Sequence, residues 1–303
     1  MSDNSELNIA PSLNLIGQSS QKIWGMPIAK WQERAFKKAG AFQGESSKIV
    51  HVAVNWVLSS ALAKAFLGRD KTALIADNKI IGVNGIDEPL AKTLIGQTPA
   101  ALEGLEIDPV YPDNLDDGYN KALRKKEPPY ALDIEQVDVV DIMKRQFAAS
   151  YKGITDFVTK WFWPVPAFYV TRAFAALKMT PNMVTTIGLI LTFAAMYYFW
   201  HGQWFLGFLT GWVMTFLDTV DGKLARTTMT YSWWGNIYDH GIDLIHPPFW
   251  YFAWFIGLGS IFQWDQIFTD PMTMALMAIF LGYVVDRIIE GIFILQHLSL
   301  IHI

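Results

Sequence analysis

The chain contains no cysteine, which excludes disulfides, thiolate nucleophiles and zinc–thiolate sites. Charge is scarce as well: Asp, Glu, Lys and Arg make up 17% of the 303 residues, and they crowd into the first half. The stretch from Met1 to Gln18 lacks the basic-then-apolar order of a cleaved signal, so the first domain is expected to stay in the cytoplasm. No Gly-rich phosphate loop precedes the first helical stretch, and no clear Asp-x-Asp pair follows a strand in that half. A net charge of −4 argues against nucleic acid as a partner. What the chain has in excess is apolar and aromatic. It is 52% hydrophobic and 15% aromatic, with thirteen tryptophans and a mean hydropathy of +0.22. The first half reads as soluble and the second as membrane.

Apolar runs long enough to cross a bilayer, about 20 residues each, fall at about 182–201, 203–224, 236–262 and 272–296. The connections around His201–Trp204 and Phe262–Pro271 carry no lysine or arginine, whereas Lys160, Arg172, Lys178, Lys223 and Arg226 lie on the other side. The positive-inside rule therefore puts the N-terminal domain and the 223–235 connection in the cytoplasm. Tyr197, Trp200, Trp204, Trp233, Trp250 and their neighbours read as an aromatic belt at the boundaries. His246 precedes Pro247-Pro248 inside the third run and reads as a polar group satisfied near a proline kink. Asp286, Arg287 and Glu290 fall inside the fourth, where charges need partners; Arg287 is the candidate for an anionic acceptor, with a structural ion pair as its rival reading. Ahead of the first run, Asp156–Lys178 mixes basic residues with Trp and Phe and is interrupted by Pro164 and Pro166. That pattern fits a helix lying in the headgroup plane. Thr180-Pro181-Asn182 then reads as an N-cap and first-turn proline.

The decisive feature is Asp218-x2-Asp221-Gly222-x2-Ala225-Arg226, eight further residues, then Gly235-x3-Asp239-x3-Asp243. Spacings of three and four place each aspartate pair on one helix face. Two facing helices would gather all four carboxylates, which cannot all stay ionised at close range without a cation. Hard oxygen donors select Mg2+, Mn2+ or Ca2+.

This pattern resembles, residue for residue, the signature of the CDP-alcohol phosphotransferase (CDP-alcohol phosphatidyltransferase) family. The resemblance implies a polytopic α-helical membrane bundle, with six spans where four are visible here, preceded in this chain by a small soluble α/β domain. It implies transfer of a phosphoalcohol group, with phosphatidyl the first expectation, from a CDP-linked donor to an acceptor hydroxyl with release of CMP. Asp218, Asp221 and Asp239 would hold one or two ions of Mg2+ or Mn2+, and Asp243 would act as general base with a share in ligation. Gly222, Ala225, Arg226, Gly235 and Asn182 would meet the nucleotide and its phosphates, and His240 and Arg287 the acceptor. A CDP-alcohol donor (CDP-diacylglycerol or a CDP-polyol), a lipid bilayer and a homodimeric partner are implied, at the inner membrane with the active site cytoplasmic. Because six spans are expected and the last apolar run has no polar tail, the membrane domain is expected to be cut short.

In the first half, 22–39 reads as a basic amphipathic helix ended by Gly40, Ile49–Val54 as a strand, and Leu58–Leu67 as a helix. Thr72–Ala76 and Lys79–Val83 flank Asp77-Asn78 as a hairpin, and helical patterns recur at about 114–126 and 136–152. Trp24-Gly25-Met26-Pro27 followed by a basic helix faintly resembles sugar-phosphate nucleotidyltransferases. Without a phosphate loop, the expectation is a degenerate domain and not an active cytidylyltransferase. Lys121, Arg124, Lys125 and Lys126 form a basic patch suited to anionic headgroups. The expected organisation is thus 1–140 soluble α/β domain, 141–180 juxtamembrane and interfacial helices, and 181–303 membrane phosphotransferase domain. The rival to an enzyme is a transporter using the acids as a relay, which would spread carboxylates through the membrane depth instead of clustering them.

Overall fold

A computed structural model of the chain describes residues 11–41, 48–115, 119–120, 125–126, 128–151 and 155–298. Lys121, Arg124 and residues 299–303 lie outside them. The chain divides into two compact units. One comprises 1–164 with 172–178 and 226–230, the other 165–171, 179–225 and 231–303.

The first unit is an α/β domain. In chain order it contains β1 (Ser12–Ile16), β2 (Lys22–Ile23), β3 (Met26–Pro27), α1 (Ile28–Ala39), β4 (Ile49–Ala53), β5 (Trp56–Leu58) and α2 (Ser60–Leu67). Next come β6 (Thr72–Ala76), β7 (Lys79–Asn84), α3 (Glu88–Leu94), β8 (Asp108–Val110), α4 (Pro112–Leu115), β9 (Tyr119–Asn120), β10 (Lys125–Lys126), β11 (Ala131–Asp133) and α5 (Val139–Ala149). The main sheet runs β1-β4-β7-β6-β8. β1/β4 and β6/β8 are parallel, and β4/β7 and β6/β7 antiparallel. Its strands alternate with period two between two cores. Val50, Val52, Leu74 and Ile81 join Phe36, Leu62 and Phe66 of α1 and α2, while Ala73, Ile75, Ile80 and Val83 join Ala91 and Leu94 of α3.

The β6–β7 hairpin turns at Asp77-Asn78, with φ of 47° and 59°, the two positive values a type I′ turn requires and Asn and Asp tolerate. The expected helix over 22–39 starts only at Ile28. Before it, Lys22–Pro27 closes a second hairpin around Trp24-Gly25, again with two positive φ values, 49° and 72°. Glycine is also needed at 25 because a Cβ there would collide with the Ala175 carbonyl. The helical reading of 114–126 is corrected: the described residues there form α4 and then the antiparallel pair β9–β10, with Lys125 opposite Asn120. Of the basic patch, only Lys126 has a described side chain, and it is exposed.

Between the domains in sequence come α6 (Phe157–Trp161), capped by Asp156, which accepts from the Thr159 amide at 2.9 Å, and α7 (Pro164–Ala176). Phe157, Trp161 and Phe162 are exposed.

The second unit is helical, built on α8 (Pro181–Trp200), α9 (Trp204–Thr227), α10 (Trp233–Gly257) and α11 (Pro271–Leu298). Among the described residues, two helical stretches are long and apolar enough to cross a membrane, Pro181–Trp200 and Pro271–Phe293, with mean hydropathies of 1.5 and 1.7. α9 and α10 have the length for a span and carry the aspartates. α8 and α10 pack around Phe199, which is 1% exposed and contacts Trp250 and Trp254 edge-on at 5.5 Å. Gly257 lies so close to the Phe199 carbonyl that no Cβ fits. The Trp250 indole donates to Thr192 O at 3.1 Å.

Candidate functional site

α9 presents Asp218 and Asp221, and α10 presents Asp239 and Asp243, each pair on one helical face. One oxygen from each of Asp218, Asp221 and Asp239 can be chosen so that all three lie within 4.8 Å of one another. Asp221 is the deepest, 3% exposed. All four aspartates line one open pocket with Val184, Thr185, Gly188, Met214 and Ile242. Asp243 stands apart from the three-carboxylate group and is exposed. Three carboxylates so close need a counter-charge, and an all-oxygen donor set on a mostly apolar wall suits a hard divalent cation. The residues present therefore fit Mg2+ or Mn2+, with Asp218, Asp221 and Asp239 as its holders.

Two further groups shape the pocket, and neither was singled out from sequence. The Thr185 hydroxyl, one turn into α8, donates to Asp221 Oδ2 at 2.6 Å. On α10, Pro247 and Pro248 sit inside the helix and have no N–H to give to the carbonyls four residues earlier, those of Asp243 and Leu244. The Leu244 carbonyl instead accepts the Tyr283 hydroxyl of α11 at 2.5 Å. The proline pair thus frees a backbone acceptor one residue after Asp243, and the next helix satisfies it.

The remaining candidates fall in three places. Asn182 and Gly235 meet at the start of the helical pair: a Cβ on Gly235 would sit 3.1 Å from Asn182 Oδ1 and from the α10 N-cap hydroxyl of Ser232. Gly222 and Ala225 lie on α9 beyond Asp221, half-buried and outside the pocket lining. Arg226 belongs to the 226–230 segment that clusters with the α/β unit. His240 is exposed, with Nδ1 3.1 Å from Asn236 O and 3.6 Å from Asp239 Oδ2. His246 Nδ1 lies 2.9 Å from Ile242 O, and its ring meets Trp250 edge-on. Arg287 spans Asp286 and Glu290, at 2.5 Å from each, and lies over the Tyr283 ring. It does not line the aspartate pocket.

The helical unit thus sets paired aspartates across two helices beside a largely apolar pocket, a donor set that could hold a divalent cation. Residues 178–296 match the family model described as CDP-alcohol phosphatidyltransferase. Over 103 residues the chain is 35% identical to archaetidylinositol phosphate synthase of Pyrococcus horikoshii, a stretch covering 34% of this chain and 54% of that protein. The chain thus spans about half the length of the curated relative it matches.

Proposed function

We propose that this protein transfers a phosphoalcohol group from a CDP-linked donor to an acceptor hydroxyl, with release of CMP, in phospholipid synthesis. The observation that carries this reading is the approach of Asp218, Asp221 and Asp239 to within 4.8 Å of one another beside Asp243. When bound there, Mg2+ or Mn2+ neutralises the donor's diphosphate and eases the departure of CMP. Asp243 lies free of that group and faces the same pocket, so it takes the proton of the acceptor hydroxyl. The acceptor oxygen then attacks the phosphorus that bears the donor's alcohol. The bond from that phosphorus to the bridging oxygen breaks, and CMP leaves with the electron pair. Asn182, beside Gly235 at the start of α8, would offer the cytosine nucleotide a hydrogen-bonding side chain.

The relative is an archaetidylinositol phosphate synthase, and by extension an inositol phosphate is the first acceptor to test on this chain. The basic residues around 160–178 and 223–226 support a multi-pass inner-membrane placement with the aspartates at the cytoplasmic face, and the homodimer implied by the resemblance goes with it. The α/β unit is read as non-catalytic.

The test is CMP release from a labelled CDP-linked lipid by the full chain in lipid nanodiscs. Inositol phosphate, glycerol phosphate and serine are offered in turn, with and without EDTA. Activity should need Mg2+ or Mn2+, and Asp243→Asn should lower turnover by about a hundredfold or more while leaving Mn2+ uptake in place. Undiminished release in EDTA would overturn the metal reading, and normal turnover in Asp243→Asn the base assignment.

A further inference from the structure

The end of α9 is capped by a distant part of the chain. A helix leaves its last four carbonyls without intrahelical partners, and Thr227 and Thr228 contribute two of those at the end of α9. The Trp31 indole N–H donates to Thr227 O at 2.8 Å, and an Arg34 guanidinium N–H donates to Thr228 O at 3.2 Å. Both donors lie on α1, and all four residues belong to the same compact unit. Trp31 is 1% exposed, Thr227 2% and Thr228 6%, so the cap is largely shielded from bulk water. The guanidinium also complements the negative end of the helix dipole. Next in the chain, Met229 takes a left-handed conformation with φ of 55°, which costs a non-glycine residue about 1 kcal/mol and so needs its surroundings to hold it. Tyr151 faces the same segment: burial pushes its phenol up to about 12, with the nearby Arg226 charge acting the other way.

This segment is the covalent bridge of the site. It leaves α9 six residues after Asp221 and enters α10, N-capped by Ser232, seven residues before Asp239. We propose that Trp31 and Arg34 are positioning residues for the aspartate site. By fixing the carbonyl end of α9 they set where α9 stops and α10 begins, and with it the separation of Asp221 from Asp239. The α/β unit, read above as non-catalytic, would then act on the reaction through this cap. The inference rests on the metal reading of the aspartates.

The test compares the full chain with Trp31→Phe, which keeps the ring and loses the donor, Arg34→Met, and Arg34→Lys, which restores one donor. Mn2+ binding is titrated by electron paramagnetic resonance, hydrogen exchange is followed over 226–236, and turnover is measured against Mg2+ concentration. Trp31→Phe and Arg34→Met should each weaken Mn2+ by about fivefold to tenfold, the low end of what loss of an outer-shell partner does. Exchange over the bridge should rise, and the apparent KM for Mg2+ should rise with kcat recovered at saturation. Arg34→Lys should recover part of each effect. A purely structural role would instead lower the active fraction at unchanged KM for Mg2+. Unchanged Mn2+ affinity in both Trp31→Phe and Arg34→Met overturns the positioning role. Failure of the unaltered chain to take up Mn2+ overturns the metal reading itself.

Discussion

The Thr185 hydroxyl lies 2.6 Å from Asp221 Oδ2 and ties α8 to the most deeply buried of the four motif aspartates. The same hydroxyl is 3.1 Å from Pro181 O. It has one proton to give, and the shorter contact to the stronger acceptor shows that the carboxylate takes it. The bond from Thr185 fixes the Asp221 carboxylate beside Asp218 and Asp239. Thr185→Val keeps the shape of the side chain and removes the donor, so divalent-cation affinity should fall by about tenfold. Thr185→Ser should stay near the unaltered value. A Mn2+ titration of the three proteins decides the matter, and equal affinity in Thr185→Val would remove Thr185 from the site.

Gly235 opens α10 where a methyl group would fit only if a neighbouring side chain moved. Its Cβ would stand 3.1 Å from both Asn182 Oδ1 and Ser232 Oγ, and Ser232 Oγ is already engaged as the N-cap, accepting the Gly235 amide at 3.0 Å. Alanine would gain roughly 1 kcal/mol of helix propensity over glycine, but crowding of this kind costs about 1–3 kcal/mol. Gly235→Ala should therefore destabilise the protein in spite of the propensity gain. Ser232→Ala alone should cost about 1 kcal/mol through the lost cap. In the double variant one of the two crowding atoms is gone, so the combined loss should be smaller than the sum. Thermal unfolding of the four proteins in one detergent measures the cycle, and strict additivity would show that Ser232 does not set the limit at 235.

Much of the site was legible because its information is local. Spacings of three and four put each aspartate pair on one helix face without reference to anything else in the chain, and the Asp77-Asn78 turn was likewise written in adjacent residues. Thr185 was not legible, since its partner lies 36 residues away. Trp31 and Arg34 were still less so, reaching across 196 and 194 positions to two backbone carbonyls that carry no side-chain signal. Tyr283 could have been sought by accounting: Pro247-Pro248 inside a helix leaves carbonyls that something must satisfy. The misread start of α1 has a local cause that amphipathic periodicity overrode. Trp24 and Gly25 fit a hairpin turn, and Pro27 suits the residue before a first helical turn better than a helix interior. Lys125 and Lys126 looked helical because Lys has good helix propensity, and propensity alone yields to strand pairing.

His51 gives the α/β unit a dependence on pH. It sits on β4 with no exposed surface, Nε2 3.2 Å from Ile86 O and Nδ1 buried with no partner. A neutral ring protonated on Nε2 fits that setting, because Nε2 then donates to the carbonyl and Nδ1 carries no charge. Burial pushes His51 below its ordinary value of 6.5, and the Ile86 carbonyl only partly opposes it. The unfolded chain therefore binds a proton near pH 6.5 that the folded chain refuses until lower pH. The stability associated with the neutral ring is fully present above pH 6.5 and is lost as pH falls from there through the depressed native value. His51→Asn retains an amide donor and does not titrate. It should be less stable than the unaltered protein at pH 7.5, where the imidazole fits its pocket better, yet should lose less on acidification. Melting temperatures taken between pH 7.5 and 5 should therefore converge for the two proteins as pH falls. Parallel curves would mean that some other group carries the acid sensitivity of the domain.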